Sequence, residues 1–224
     1  MMDESKKAGS ELTVAPHDIE RKSFQIIGQE LGRELPPLID PIVKRVIHAT
    51  ADFSFADTLG FSDGAVEAAL DALRSGATIV TDTNMALSGI SKPALAKLGC
   101  TAVCYMADDD VAKAAREAGT TRAVACMEKA CSVGGPLIVA IGNAPTALIH
   151  LLELREAGRI DPALIIGAPV GFVNVVESKQ RLAESDAPHI VAQGRKGGST
   201  VACSIVNALL YMITRSDAAA GAAR

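Results

Sequence analysis

Aromatic side chains are scarce in this chain, whose 224 residues include two Tyr, five Phe and no Trp. Proteins that bind single-stranded nucleic acid stack the bases on exposed aromatic rings, and so few rings argue against such a platform. The charge balance agrees, because 22 Lys and Arg against 26 Asp and Glu give a net charge of −4 without a basic excess. We therefore expect no nucleic-acid partner.

Paired cysteines are also missing. The five cysteines are odd in number and form no CxxC pair, so neither a disulfide framework nor a zinc knuckle is indicated. His, Cys, Asp and Glu show no clustered spacing of metal ligands either, and we expect no metal site. Free thiols of this kind are typical of a reducing compartment, which predicts a cytoplasmic location.

Long apolar runs are absent as well. Residues 1–16 are polar and contain no signal-peptide-like stretch, and the most apolar segment, 136–152, is divided by Gly142-Asn143-Ala144-Pro145. Each half is much shorter than the ~20 residues of a membrane-spanning helix, so we expect no membrane partner. The chain length fits one domain, which we place at 17–215, between a flexible leader at 1–16 and a flexible tail at 216–224.

Apolar residues make up 49% of the chain and occur in strand-length runs that alternate with segments of helical period. This alternation predicts an α/β fold, a three-layer, doubly wound, mainly parallel sheet with helices on both faces. The predicted strands are residues 78–82, 101–105, 123–126, 137–141, 163–167 and 190–193. The predicted helices are residues 19–33, 38–49, 64–75, 92–98, 109–118, 146–157, 174–184 and 200–213, of which the first two form an N-terminal appendage.

Four predicted strand-to-helix junctions are rich in small and polar residues. In an open parallel sheet the ligand binds outside the carboxyl ends of the strands, where these junctions lie. Glycine lets the backbone approach a ligand closely and helix N–H groups attract anions, so we expect a large anionic ligand. Neither a P-loop nor a GxGxxG motif occurs among them. The junctions are residues 81–85, 142–146, 167–172 and 194–199.

His48 stands apart from the other histidines. It lies at the end of the predicted helix 38–49, opposite the apolar stripe and on the same side as Lys44 and Arg45. The helix dipole and Asp52 favour a protonated imidazole there, whereas the two neighbouring cations disfavour it. A protonated His48 is a candidate general acid, and a solvated helix-end histidine is the alternative interpretation. The histidines that we interpret as structural or incidental are His17, His150 and His189.

Basic side chains near the junctions are candidates for binding a polyanion. Arg122 directly precedes a predicted strand, Lys129 follows the same strand, and Arg195 and Lys196 lie in the last glycine-rich junction. On a net acidic protein, cations gathered at one edge favour an anionic ligand, although ordinary solvated surface charges are the alternative.

Six segments resemble the precorrin-8X methylmutase family of corrin biosynthesis, and the resemblance extends from about residue 19 to about residue 212. The segments are RVIHATADF at 45–53, TDTNMALSGI at 81–90, GNAPTAL at 142–148, PVGFV at 169–173, ESK at 177–179 and GRKGGS at 194–199. The second and last of them look more like the anaerobic, cobalt-first branch of the family than like the oxygen-dependent branch.

The resemblance implies a cobalamin-biosynthesis isomerase that moves a methyl group on ring C of the macrocycle, converting cobalt-precorrin-8 into cobyrinate. The alternative substrate is precorrin-8X of the oxygen-dependent branch, which becomes hydrogenobyrinate. The resemblance further implies a flavodoxin-like fold, a homodimer and no cofactor, since any cobalt is carried by the substrate. Product hand-over to the next pathway enzyme is a further partner interaction that we expect. A non-catalytic corrinoid carrier and a flavin or nucleotide module are the rival functions.

The same resemblance assigns the catalytic role to His48, as the general acid that protonates the macrocycle. Because aromatic rings are few, we expect the substrate to be held by its edges and carboxylates. The residues implied to bind this polycarboxylate corrinoid macrocycle are Ser23, Thr83, Met85, Arg122, Asn143, Thr146, Val170, Gly171, Phe172, Lys196, Gly197 and Gly198.

Overall fold

The protein is described by a computed structural model of residues 16–222, with side chains for residues 18–215. The N-terminal part contains helices α1 (Pro16–Leu31), α2 (Asp40–Thr50), α3 (Phe55–Thr58) and α4 (Ala65–Arg74), and strand β1 (Leu59–Phe61). The middle part contains β2 (Thr78–Thr81), α5 (Asn84–Gly89), α6 (Lys92–Leu98), β3 (Thr101–Val103), a 3₁₀ turn (Tyr105–Ala107), α7 (Asp109–Glu117) and α8 (Arg122–Ala130). The C-terminal part contains β4 (Leu137–Ile141), α9 (Pro145–Glu156), β5 (Leu164–Gly167), α10 (Val175–Ala183), β6 (His189–Ala192) and α11 (Ser199–Ala222).

The six strands form one sheet in the order β1-β6-β5-β4-β2-β3. All neighbouring pairs are parallel except β1 and β6, which pair antiparallel with Leu59 opposite Ala192. Without β1 the order is that of flavodoxin-like sheets, in which the winding direction reverses between the first strand and its central neighbour, here β2 and β4. The prediction of an α/β, doubly wound, mainly parallel sheet is confirmed.

Helices cover both faces of the sheet. One apolar core lies between the sheet and helices α2, α4 and α11, and a second lies between the sheet and helices α7 to α10. All five residues of β4 are buried, as expected for a strand that is covered on both faces. The carboxyl ends of the parallel strands therefore form the open edge at which a ligand can bind.

The predicted strand 123–126 is wrong, because these residues belong to α8. A short apolar run such as Ala-Val-Ala-Cys fits a strand or one side of a helix equally well. Thr121 decides the outcome: its side chain caps the helix by accepting a hydrogen bond from the Val124 N–H at 3.2 Å. The buried positions Ala123, Cys126, Met127 and Ala130 then follow helical spacing.

Three short elements were not predicted, namely β1, α3 and α5, each of which is six residues or shorter. At the C-terminus, α11 continues to Ala222, so residues 216–222 are helical where a flexible tail was predicted. Residues 1–15 of the predicted leader lie outside the described residues. Within the described part of the chain, every helix is too short or too polar to cross a bilayer.

Candidate active site

Asp82 directly follows β2 and hydrogen-bonds to the residues that follow β4, at the point where the winding of the sheet reverses. Its buried carboxylate accepts hydrogen bonds from the backbone N–H groups of Gly142, Asn143 and Ala144 at 2.7, 2.8 and 2.7 Å. Burial raises the pKa of the Asp82 carboxyl group, whereas the three donors act against this rise. These N–H groups precede α9 and have a protein acceptor already, so this junction does not offer them to a ligand anion.

This arrangement corrects one expectation for the junction 142–146, whose backbone N–H groups were expected to attract an anionic ligand. In doubly wound sheets the phosphate of a nucleotide or flavin binds near this reversal point, at bare N–H groups of a helix start. Asp82 occupies that position with a carboxylate of the protein itself. The geometry therefore argues against the flavin or nucleotide module.

The junction between β2 and α5 packs directly against the start of α11. The Thr83 hydroxyl lies 2.7 Å from the hydroxyl of Ser199 and also accepts a hydrogen bond from the Ala86 N–H, which caps α5. Gly142 makes a similarly close approach, because a Cβ atom at this position would lie 2.7 Å from the Cα atom of Ser199. Met85 projects from the same junction with 72% of its surface exposed.

The loops after β5 and β6 are joined to each other by their backbones. The Gly198 N–H donates to the Ala168 carbonyl at 2.8 Å, and the Gly171 N–H donates to the Arg195 carbonyl at 3.2 Å. Gly197 must be glycine, since a Cβ atom there would lie 2.3 Å from the Ala168 carbonyl oxygen. The two loops form one surface.

Apolar side chains stand out from this surface. Phe172 is 81% exposed, and the guanidinium of Arg195 lies over its ring at 5.4 Å. Val170 and Val173 are also exposed beside it. Exposed apolar side chains rimmed by cations suit a ligand with apolar faces and anionic edges.

Lys179 on α10 supports the β6–α11 loop from inside the protein. Its side chain is buried, and its Nζ donates to the carbonyl oxygens of Gly194 and Lys196 at 2.9 and 2.7 Å. Burial lowers the pKa of Lys179 to about 8. In the sequence, Lys179 stands out only as part of the motif at 177–179. The available signal was its spacing, because it lies on the same helical stripe as the buried residues Val175 and Leu182.

His48 lies at the end of α2 and is exposed. Its ring makes an edge contact with Phe24 of α1, with the ring centroids 5.8 Å apart. Four residues later, Asp52 accepts a hydrogen bond from the Nζ of Lys196 at 2.7 Å, and Lys196 also donates to the Ser54 hydroxyl at 3.0 Å. Lys196 lowers the pKa of Asp52 to about 2. This contact brings the end of α2 next to the β6–α11 loop.

The three charged residues that were expected to influence the protonation of His48 all have other partners. Lys44 forms an ion pair with Asp40 at 2.8 Å, and Arg45 forms one with Glu20. Asp52, which was expected to support the imidazolium, is bound by Lys196.

A charged cluster fixes α1 against α2 and α11. Glu20 binds Arg215 at 2.7 Å and also binds Arg45, and these contacts lower the pKa of Glu20 to about 2.

The Arg45 guanidinium lies between the rings of Phe24 and Tyr211, at 4.9 and 4.8 Å from their centroids. The cluster thereby holds Phe24 against His48, and with it the neighbouring Ser23 of α1.

Arg122 lies elsewhere than predicted, since it begins helix α8 and precedes no strand. It is exposed, and its neighbours Thr120 and Val124 share a surface depression with Thr146 at the start of α9.

Lys129 forms ion pairs with Asp108 and Asp110, both at 2.7 Å, which makes it a structural cation.

The histidines interpreted as structural have protein partners where their side chains are described. His150 lies 2.8 Å from Glu128, and the buried His189 lies 2.8 Å from the carbonyl of Ala187. The side chain of His17 is outside the described part. Among residues 18–215, no three His, Cys, Asp or Glu side chains come together as a metal site requires.

Comparison with known proteins finds the same family over nearly the whole chain. The model of the precorrin-8X methylmutase family matches residues 18–212. The cobalt-precorrin-8 methylmutase of Priestia megaterium is 45% identical over 201 residues, which are 88% of each chain. The precorrin-8X methylmutase of Pseudomonas aeruginosa is 40% identical and covers 85% of this chain and 93% of its own. The crystal structure of the precorrin-8X methylmutase from Thermus thermophilus superposes with a TM-score of 0.81 at 42% identity, covering 89% of this chain and 98% of its own.

Proposed function

Because this chain belongs to the precorrin-8X methylmutase family of cobalamin biosynthesis, isomerases that move a methyl group, we propose that it converts cobalt-precorrin-8 into cobyrinate. The observation that carries the proposal is the contact between Lys196 and Asp52, which brings the helix end bearing His48 to the loops at the carboxyl edge of the sheet. One exposed acid–base group next to loops with cations and apolar side chains suits a large anionic macrocycle.

The reaction needs one proton and one well-oriented substrate. His48, as an imidazolium, donates a proton to the macrocycle, and the conjugated ring system accommodates the positive charge. The methyl group then moves to the adjacent ring C carbon, and a proton returns to the imidazole because substrate and product are isomers. The loops hold the substrate by its edges, so that orientation and general acid catalysis together supply the rate enhancement. No resident cofactor is required, and any cobalt is carried by the substrate.

Replacement of His48 tests this mechanism. We expect His48→Ala to lower the rate of substrate conversion by about 10²–10⁴-fold, the usual contribution of a general acid, while the substrate still binds. Conversion is followed by the change in the absorption spectrum, and binding by titration of the same chromophore. The matched control is His150→Ala, because His150 is held by Glu128 on another helix and should leave turnover unchanged.

The result also separates an enzyme from a corrinoid carrier. A carrier binds the macrocycle and needs no acid. Normal turnover in His48→Ala would refute the role of His48, and binding without turnover in the unsubstituted protein would favour the carrier.

The metal content of the substrate is a separate part of the proposal. Relatives at 45% and 46% identity are named cobalt-precorrin-8 methylmutases, whereas the precorrin-8X methylmutases of Thermus thermophilus and Pseudomonas aeruginosa are 42% and 40% identical. This ranking supports the cobalt-containing substrate. We expect a higher kcat/KM with cobalt-precorrin-8 than with metal-free precorrin-8X when both are presented side by side, and the reverse order would favour the oxygen-dependent branch.

We extend the proposal to a cytoplasmic homodimer that passes its product to the next pathway enzyme. The exposed apolar residues Met85, Phe172 and Val173 support a surface that is covered by substrate or by a second copy. Light scattering at micromolar concentration should give twice the monomer mass, and a monomer at that concentration would contradict this part.

A further inference from the structure

Lys179 is the most deeply buried cation among the described residues and has no role in the proposed chemistry. Its side chain is 2% exposed, yet its Nζ donates hydrogen bonds to two backbone carbonyls, those of Gly194 and Lys196. Transferring an ammonium group from water into the interior is costly, and a methionine at this position would avoid that cost. The gain from Lys179 must therefore lie in what it holds.

What it holds is the loop that carries the predicted substrate-binding residues 196–198. Lys196 is fixed at two points: its carbonyl accepts from Lys179 at 2.7 Å, and its own Nζ reaches Asp52 at 2.7 Å. The next residue, Gly197, packs with its Cα against the Ala168 carbonyl, where a Cβ would be 2.3 Å from the oxygen. The loop is thus held from α10, from the end of α2 and from the β5–α10 loop.

We propose that Lys179 is a positioning residue for the substrate. It fixes the backbone of the β6–α11 loop at residues 194–198, so that Lys196 reaches the helix end that carries His48. This inference rests on the proposed function. Lys179 itself lies behind the loop and acts through it. Its loss should therefore weaken substrate binding more than the proton transfer at His48.

The first test is the kinetics of Lys179→Met in the full-length protein. Methionine keeps the length and the burial of the side chain but donates no hydrogen bond. We expect KM to rise by about 10-fold and kcat to change by less than about threefold, because His48 is untouched. Lys179→Arg retains donors for both carbonyls and should recover part of the loss in KM.

The matched control is Lys97→Met. Lys97 also donates to a backbone carbonyl, that of Thr214, but it joins α6 to α11 away from the loop. We expect wild-type KM and kcat for this control. All variants are compared at a temperature at which circular dichroism shows them fully folded, so that a general loss of stability does not enter the kinetics.

The second test needs no substrate. Arg195 and Lys196 are trypsin sites within the loop, and a loop that is released from Lys179 should be cut faster there. We expect native-state cleavage after these residues to be about 10-fold faster in Lys179→Met than in the wild type or in Lys97→Met, as measured by mass spectrometry. If the methionine variant is not recovered folded, Lys179→Gln, which retains one shorter donor, should give the intermediate effect in both tests.

The outcomes separate this inference from the proposed function. A wild-type protein that converts neither cobalt-precorrin-8 nor precorrin-8X would overturn the proposed function, while the trypsin test would still decide whether Lys179 holds the loop. A folded Lys179→Met or Lys179→Gln variant with wild-type KM and wild-type cleavage would overturn the inference and leave the function standing.

Discussion

Two buried charges of opposite sign hold loops at the carboxyl edge of the sheet, and they differ in what they hold. Asp82 accepts hydrogen bonds from three backbone N–H groups just before α9. Lys179 donates hydrogen bonds to two carbonyls of the β6–α11 loop. Both use a charged side chain to satisfy backbone groups rather than to form an ion pair.

Asp82 and Lys179 differ in their effect on ligand binding. Asp82 occupies a helix start, the place where a doubly wound sheet ordinarily binds an anion, and so closes that site. Lys179 binds carbonyl oxygens of its loop and no N–H group. The loop in turn places the side chain of Lys196 next to the end of α2. Asp82 therefore takes the place of a ligand anion, whereas Lys179 positions the β6–α11 loop for a ligand.

The largest effect on stability is expected for Asp82→Asn. An amide has one acceptor oxygen, so one or two of the three N–H groups lose their acceptor, at ~1–3 kcal/mol each, and each bond that remains is no longer made to a charged acceptor. We expect the free energy of unfolding to fall by about 4 kcal/mol, measured by urea denaturation. The control is Asp161→Asn, because Asp161 is exposed and its loss should cost less than about 1 kcal/mol. Equal effects for the two variants would contradict the proposed role of Asp82.

Burial of Lys179 should make the stability of the protein depend on pH. The pKa of Lys179 is about 8 in the folded protein, against an ordinary value of 10.5. Between these two values the unfolded chain binds the proton that the folded protein has lost, so stability contributed at this site rises with pH. We expect the free energy of unfolding of the wild type, relative to Lys179→Met, to rise by up to about 3 kcal/mol from pH 7.5 to pH 10.5. A flat difference would show that burial does not perturb this ammonium.

The smallest effect is expected at Asp52, which is half-buried and is paired with the exposed Lys196. Its pair with Lys196 is solvated, and Asp52→Asn should lower the free energy of unfolding by less than about 1 kcal/mol. The pKa of Asp52 is lowered to about 2, so the wild-type contribution is present above pH 3.8 and disappears as the pH falls towards 2. Urea denaturation at pH 6 and at low pH, for the wild type and the variant, measures this difference. A large loss at pH 6 would mean that this surface pair, and not Lys179, is the main support of the loop.

Local sequence predicted the elements whose ends are set by local chemistry. Strand β4 was predicted to the residue because burial on both faces makes it a continuous apolar run. Helix α6 was also predicted to the residue, since Pro93 lies at its start and Gly99 adopts a left-handed conformation at its end. The segment 123–126 was misread because four apolar residues do not distinguish a strand from a buried helix face.

The candidate site divides in the same way. The position of His48 at a helix end, on the polar side, followed from helical period alone. The partners of its neighbours did not, because Glu20, Lys196 and Tyr211 are far from α2 in the sequence and reach it only through packing. The role of Lys179 was hidden for the same reason, since its partners are backbone atoms of a loop 15 and 17 residues away.

Periodicity, turn chemistry and motifs in the sequence predicted the α/β class, most of the strands and helices, the glycine-rich junctions and the family. Which of the junctions is open to a ligand depends on how distant segments pack together. Satisfaction of buried backbone groups is a long-range property: Asp82 and Gly142 are 60 residues apart, yet their hydrogen bond determines whether an N–H group faces a ligand or the protein.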